Sequence, residues 1–262
     1  MENKISIITI VKNGLPHIKS SIKSFNLQNY PNKELIIVYG DSKDGTEKYL
    51  ESIKQNNITI IKDDQSNNRY AAINIGIKKL TGDIFGILHS DDIFYSENTL
   101  SLISKNMGGD VDCLYGNIMF SQKNNILKIN RVWKSKKFKR GSLKYGWTPP
   151  HTSIFLKNNL KDKFLYDEKY FISSDYFFIL KIFNSQNLKI KYLNEFITIM
   201  RLGGDSTKLK NFYIKFSEDL EVSKKFFKLY YLTVILKIIR KIFQIKLIKK
   251  NMNNEYIKKL II

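Results

Sequence analysis

The chain has 262 residues, 43% of them hydrophobic, which is enough for one domain with a full core and an appendage, or for two small domains. Its single cysteine, Cys113, excludes an internal disulfide and a cysteine-based metal cluster, and it fits a reducing compartment. The formal charge of +20 points to a polyanionic partner (nucleic acid, anionic lipid or a phosphorylated substrate), and its segregation argues against mere compositional habit: no acidic residue stands between Asp112 and Asp162, where basic residues run from Lys123 to Lys161, and a second excess follows Lys208.

Ile5–Val11 is a β-rich run without alternation, as expected of a strand buried on both faces, and the start of the chain reads as that strand and not as a leader peptide. Pro16 opens a helix with Ile18, Ile22 and Phe25 at helical spacing. A second strand, Glu34–Tyr39, ends in the polar turn Gly40–Thr46; a helix with Tyr49, Leu50 and Ile53 and a short strand at Ile58–Ile61 follow. A helix is predicted over Arg69–Leu80, and a fourth strand, Asp83–Leu88, runs into His89-Ser90-Asp91-Asp92. Strands alternating with helices imply an α/β domain with a mostly parallel, helix-covered sheet, whose ligands bind beyond the carboxyl ends of the strands. Tyr39–Thr46 and His89–Asp92 both fall there.

In the second half, Val111–Phe120 and Ile126–Trp133 are predicted to pair around a turn at Gln122–Asn125, Tyr170–Phe183 to be helical and Ile190–Met200 to be a strand. Asn211–Lys250 reads as one or two basic, apolar helices. No stretch reaches the 18 or so uncharged apolar residues of a spanning helix; the longest run, Leu229–Leu236, is closed by Lys228 and Lys237.

The adjacent carboxylates of Asp91 and Asp92 repel each other at a strand end, and a hard divalent cation relieves that cost; a pair capping the next helix explains them equally well. The ordered set of Ile5–Asn13, Asp41-Ser42-Lys43-Asp44-Gly45-Thr46, Arg69-Tyr70-Ala71-Ala72-Ile73-Asn74-Ile75-Gly76, Thr81-Gly82-Asp83 and Ser90-Asp91-Asp92 resembles family 2 glycosyltransferases over roughly the first 100 residues. The resemblance implies a GT-A fold and inverting transfer of a sugar from a nucleotide diphosphate donor, read as UDP-linked, with Mn²⁺ or Mg²⁺. The implied acceptor is a hydroxyl of a glycan or a lipid-linked saccharide of the surface-polysaccharide type.

Carried onto this sequence, the resemblance makes Asp92 the metal ligand and Asp91 the contact to the donor ribose. Val11 and Asn13 lie in the loop under the nucleotide, Tyr39 or Asp41 meets the base, and Arg69 stands near the diphosphate. Gly203 and Gly204 resemble the family's G-G-x-S loop over the donor. Asp175, in Ile172-Ser173-Ser174-Asp175-Tyr176, takes the place of the catalytic base, although a helix cap is the competing reading. His151 borders the acceptor or diphosphate, and Trp147 belongs to a basic, aromatic stretch suited to an anionic acceptor. Three departures stand out. Tyr39-Gly40-Asp41 replaces an aspartate-rich strand end, His89 stands where the acidic motif often begins with Asp, and Ser174 stands in for Glu.

The predicted division is a domain over 1–207, with a donor half over about 1–105 and an acceptor half over about 106–207, followed by a basic amphipathic tail over 208–262. That tail either lies on an anionic membrane surface or packs on the domain with a solvated basic face. The expected location is cytoplasmic, with peripheral attachment to the inner face of the cell membrane through the tail. No nucleic-acid partner is expected, because no such motif accompanies the charge. The alternatives are a nucleotidyltransferase of related fold, which lacks its Gly-rich signature here, and a non-enzymatic basic protein that binds membrane or nucleic acid.

Overall fold

The structure, a computed structural model, describes residues 2–66, 68–203, 211–244 and 246–261, with the backbone alone at 243, 244, 246–250 and 261. The first half alternates β1 (Ile5–Val11), α1 (His17–Asn26), β2 (Lys33–Tyr39), α2 (Thr46–Glu51), β3 (Ile58–Lys62), α3 (Arg69–Lys79) and β4 (Ile84–Ile87). β1 pairs in parallel with both β2 and β4, so Ile8 lies between Ile36 and Ile87, and β3 adds in parallel outside β2. Successive side chains of a strand point to opposite faces. Ile8, Ile36 and Val38 therefore pack with Ile73 and Ile77 of α3, while Ile7, Leu35 and Ile37 pack on the other face with Ile18, Ile22 and Phe25 of α1. The glycine of the Arg69–Gly76 motif lets α3 come this close, since a Cβ on Gly76 would stand 2.6 Å from Cγ2 of Ile8.

The second half comprises β5 (Ile93–Phe94), α4 (Thr99–Asn106), β6 (Cys113–Gln122), β7 (Asn125–Trp133), β8 (Phe155–Lys157), α5 (Ser174–Asn184) and β9 (Ile190–Arg201). It extends the sheet in the order β7-β6-β8-β4-β1-β2-β3, with β9 joined to β6 and β5. β6 and β7 form the expected antiparallel hairpin, β8 runs antiparallel to β4, and β9 runs parallel to β6. The result is a mixed α/β sheet, wholly parallel in the first half and flanked by helices.

After α6 (Phe212–Lys224) and α7 (Tyr230–Gln244), the chain departs from the predicted basic helix. Lys246–Asn251 is a strand, β10, antiparallel to β7, and α8 (Glu255–Ile261) follows it. The open edge of β7 accounts for the difference, because an unpaired strand edge is a template that a short Ile/Leu/Lys segment can satisfy as well as it can form a helix. α8 then returns to the start of the chain: the Tyr256 hydroxyl donates to the Ser24 carbonyl (3.0 Å) and accepts from the Gln28 side chain (3.0 Å).

Candidate active site

The carboxyl ends of β1 and β2 are joined by their loops. Asn13 takes a left-handed conformation (φ 53°); its amide donates to Ser42 Oγ (3.0 Å) and its side-chain oxygen accepts from the Lys43 amide (2.7 Å). Asp44 accepts from the Leu15 amide and from the Thr46 amide and hydroxyl, which hold its carboxyl below the usual range, so it shapes this rim. Asp41 is exposed at the rim, whereas Val11 is buried with its carbonyl on the Gly40 amide. Tyr39 is also buried; its ring packs in the core beside α2 and its hydroxyl donates to Glu47 (3.4 Å).

At the end of β4, the Thr9 hydroxyl bonds the Leu88 carbonyl, and the Asp92 amide folds back onto the His89 carbonyl (3.0 Å). The pairing of β5 with β9 brings Asp92 beside Arg201, whose amide donates to Asp92 Oδ1 (3.2 Å). Asp92 is 1% exposed, and its Oδ2 has no hydrogen-bond partner among the described residues. Burial first, and then the charge of Asp91, drives this carboxyl well above its ordinary value. A buried carboxylate with an open oxygen fits a cation ligand. Among the described residues, no group of three or more His, Cys, Asp or Glu could hold an ion alone. A divalent ion here would therefore draw its other ligands from phosphate and water.

Asp175 sits in the first turn of α5 and lines a cavity of about 230 Å³, together with Arg69, His89 and His151. Its place is set from outside the motif. Glu218 of α6 accepts the amides of Phe171, Ile172 and Ser173 (2.8, 2.9 and 2.8 Å), which fixes the approach to the helix. Arg69 begins α3 behind an Asn68 cap and lies 5.9 Å from the Phe171 ring. His151 shares a short hydrogen bond with the Tyr166 hydroxyl, and burial lowers its imidazole to about 4; burial also lowers His89. Both rings are neutral near pH 7. Asp167 and Glu168 serve structural roles, the first accepting from the Lys169 amide and the second from the buried Asn74 side chain.

Trp147 is buried against Tyr115, Phe138 and Phe183, while its neighbours Gly146 and Thr148 reach the cavity wall. Gly203 has a φ of 110°; Gly204 lies outside the described residues. The sequence pattern carries no local mark for Glu218, Arg201 or Lys215, whereas Arg131 stands in the acid-free basic stretch and Lys237 and Lys241 on the basic face of the tail; the fold brings all six to the site. A further signal is the spacing of four between Lys237 and Lys241 in an otherwise apolar run.

The pattern of the family described as "Glycosyl transferase family 2" matches residues 6–180, from β1 through Asp175 to the body of α5. The chain belongs to this family. An uncharacterised glycosyltransferase of Rickettsia typhi is 32% identical over 126 residues, covering 47% of this chain and 39% of that protein. The UDP-Glc:α-D-GlcNAc-diphosphoundecaprenol β-1,3-glucosyltransferase WfgD of Escherichia coli is 28% identical over 47% of this chain and 49% of its own. This family 2 chain thus spans under half the length of these two relatives. Among solved structures, S. aureus TarS 1-349 in complex with UDP-GlcNAc has a TM-score of 0.66 at 17% identity, over 84% of this chain and 65% of that one. The mannosyltransferase PcManGT from Pyrobaculum calidifontis, in complex with GDP-Man and Mn²⁺, has a TM-score of 0.58 at 15% identity, over 92% and 65%. The fold of the family 2 chain is accordingly the GT-A-like α/β fold.

Proposed function

We propose that the chain is an inverting glycosyltransferase that moves a sugar from a UDP-linked donor to a hydroxyl of a glycan or lipid-linked saccharide, with Mn²⁺ or Mg²⁺. The observation that carries this reading is the cavity lined by Arg69, His89 and Asp175, beside the strand end where Asp92 keeps a buried oxygen without a partner among the described residues. The UDP-GlcNAc complex of TarS supports the donor, the Mn²⁺ in the GDP-Man complex of PcManGT supports the ion, and the printed activity of WfgD supports a lipid-linked acceptor.

In this reading Asn13, Asp41 and Asp91 hold the nucleoside over Val11 and Tyr39. Asp92 would hold the divalent ion, which when bound neutralises the leaving diphosphate. Arg69 offers a planar guanidinium to the same phosphates, and Gly203 with Gly204 closes over them. Asp175 accepts the proton of the acceptor hydroxyl while the hydroxyl's oxygen bonds to the anomeric carbon. The bond from that carbon to the diphosphate oxygen breaks on the opposite face, so configuration inverts. His151 is held neutral against Tyr166 and borders the acceptor without adding charge.

Residues 1–105 serve the donor and 106–207 the acceptor, and the segment after 208 supplies a cytoplasmic membrane contact. No helix among the described residues is long and apolar enough to cross a membrane. The contact instead uses the outer face of α7, where Tyr231, Leu232, Ile235, Ile239 and Ile242 are 41–62% exposed beside the exposed Lys144, Lys228 and Arg240. Such an apolar strip flanked by cations suits an anionic lipid surface. The decisive test is binding of a panel of nucleoside diphosphates with and without Mn²⁺. One nucleotide should bind in a metal-dependent way, and Asp92→Ala should abolish that dependence; a folded protein that binds none of them removes the glycosyltransferase reading.

A further inference from the structure

α7 is inverted relative to a helix that packs on a soluble domain. Tyr231, Leu232, Ile235, Ile239 and Ile242 face outward, while Thr233, Val234, Lys237 and Lys241 face in. The Lys237 side chain is 14% exposed; its ammonium lies 3.3 Å from the Tyr176 ring centroid and 2.8 Å from Asp219 Oδ1. Asp219 also faces Lys215, at 3.7 Å. Lys241 lies in the field of Lys215 and Arg131, which oppose its charge, and of Asp175 and Asp219, which favour it. The guanidinium of Arg131 lies over the Phe120 ring (4.5 Å), and its Nε and Nη2, like the indole nitrogen of Trp133, are buried without a hydrogen-bond partner among the described residues.

Arg131, Lys215, Lys237 and Lys241 thus line one cavity in which Asp175 is the only acidic residue among the described lining residues, with Asp219 behind it. Buried cations and unpaired donors in this excess are stabilised by an anion. Asp91 and Asp92 are not among the described residues that line the cavity, although Arg69 and His89, on the donor side of the site, do line it. The basic wall comes from β7, α6 and α7, on the side of Asp175, where the acceptor must place its hydroxyl.

We propose that Arg131, Trp133, Lys215, Lys237 and Lys241 form a subsite for a phosphoryl group of the acceptor, so that the acceptor is a lipid-linked phosphate or diphosphate and not a neutral glycan. The inference rests on the glycosyltransferase reading and deepens it. One helix then serves both parts of such a molecule: its inner lysines take the anion, and its outer apolar face meets the bilayer that holds the lipid.

Calorimetric titration of the full chain with geranyl diphosphate, in the presence of saturating Mn²⁺ and the cognate nucleoside diphosphate, tests this. Geranyl diphosphate should bind beside the nucleotide, more tightly than inorganic pyrophosphate, and geraniol should not bind. Lys241→Gln and Arg131→Gln should each weaken it about tenfold or more while nucleotide affinity stays unchanged, and that unchanged affinity reports that the variant is folded. Displacement of geranyl diphosphate by the nucleotide would mean that the cavity takes the donor's own diphosphate and would overturn the proposal. So would equal binding by wild type and variants, or no binding by a protein that does bind nucleotide. A protein that binds no nucleotide at all fails earlier, at the glycosyltransferase reading itself.

Discussion

Asp175 owes its position to residues that lie far from it in the chain. Its own amide neighbours are held by Glu218, and its field reaches His89, His151, Lys215, Lys237 and Lys241. Asp175→Asn should lower sugar transfer by about 10²–10⁴-fold, the usual worth of a general base, with nucleotide binding intact; a rate assay paired with a binding assay checks both halves. Lys237 gives a pH signature. It faces Asp219 and Lys215 from α6 and Asp175 and Tyr176 from α5, and burial draws its ammonium from 10.5 down to about 8. Between those values the unfolded chain holds a proton that the folded chain has released, so this group makes stability rise with pH across that window. Melting temperatures from pH 7.5 to 10.5 should show a rise in wild type that Lys237→Met lacks. Asp91, Asp92, Arg69 and Asp175 were legible in the sequence because each stands in a short motif at the end of an element. Glu218, Arg131 and Lys237 were not, because they act across long loops and nothing near them in sequence marks their target.

Among the elements, α7 departs most from its sequence pattern. Periodicity separates its lysines from its isoleucines but does not say which set faces the protein, since burying a charged face is favourable only when partners such as Asp219 and the Tyr176 ring await it. The first-half strands and helices carried no such ambiguity, because strands buried on both faces and helices with one apolar stripe each admit a single packing. β10 was hidden for another reason: Lys246–Asn251 becomes a strand only where the edge of β7 is open. The seat of α7 depends on Gly146, which has a φ of 75° and whose missing Cβ would stand 2.2 Å from the Lys237 amide nitrogen. Gly146→Ala should therefore destabilise the fold by about 2 kcal/mol or more in denaturant titrations, since backbone on both sides must shift.

At the scale of the whole molecule, the net charge of +20 and the exposed face of α7 act together. Sedimentation with vesicles should show binding to anionic bilayers, weaker binding to neutral ones, and loss with rising salt. The double variant Ile235→Ser/Ile239→Ser should reduce that binding while leaving nucleotide affinity unchanged, because both side chains point away from the cavity. The return of α8 to α1 has a consequence in time. The Tyr256 hydroxyl meets Ser24 across 232 residues, and β10 pairs with a strand made more than a hundred residues before it. During synthesis from the amino terminus, the first half can assemble its parallel strands early, yet the side of α1 that meets α8 stays uncovered until α8 has been made. Contacts of such long range close late and slowly. The first half of the chain therefore completes its packing only after α8 has formed.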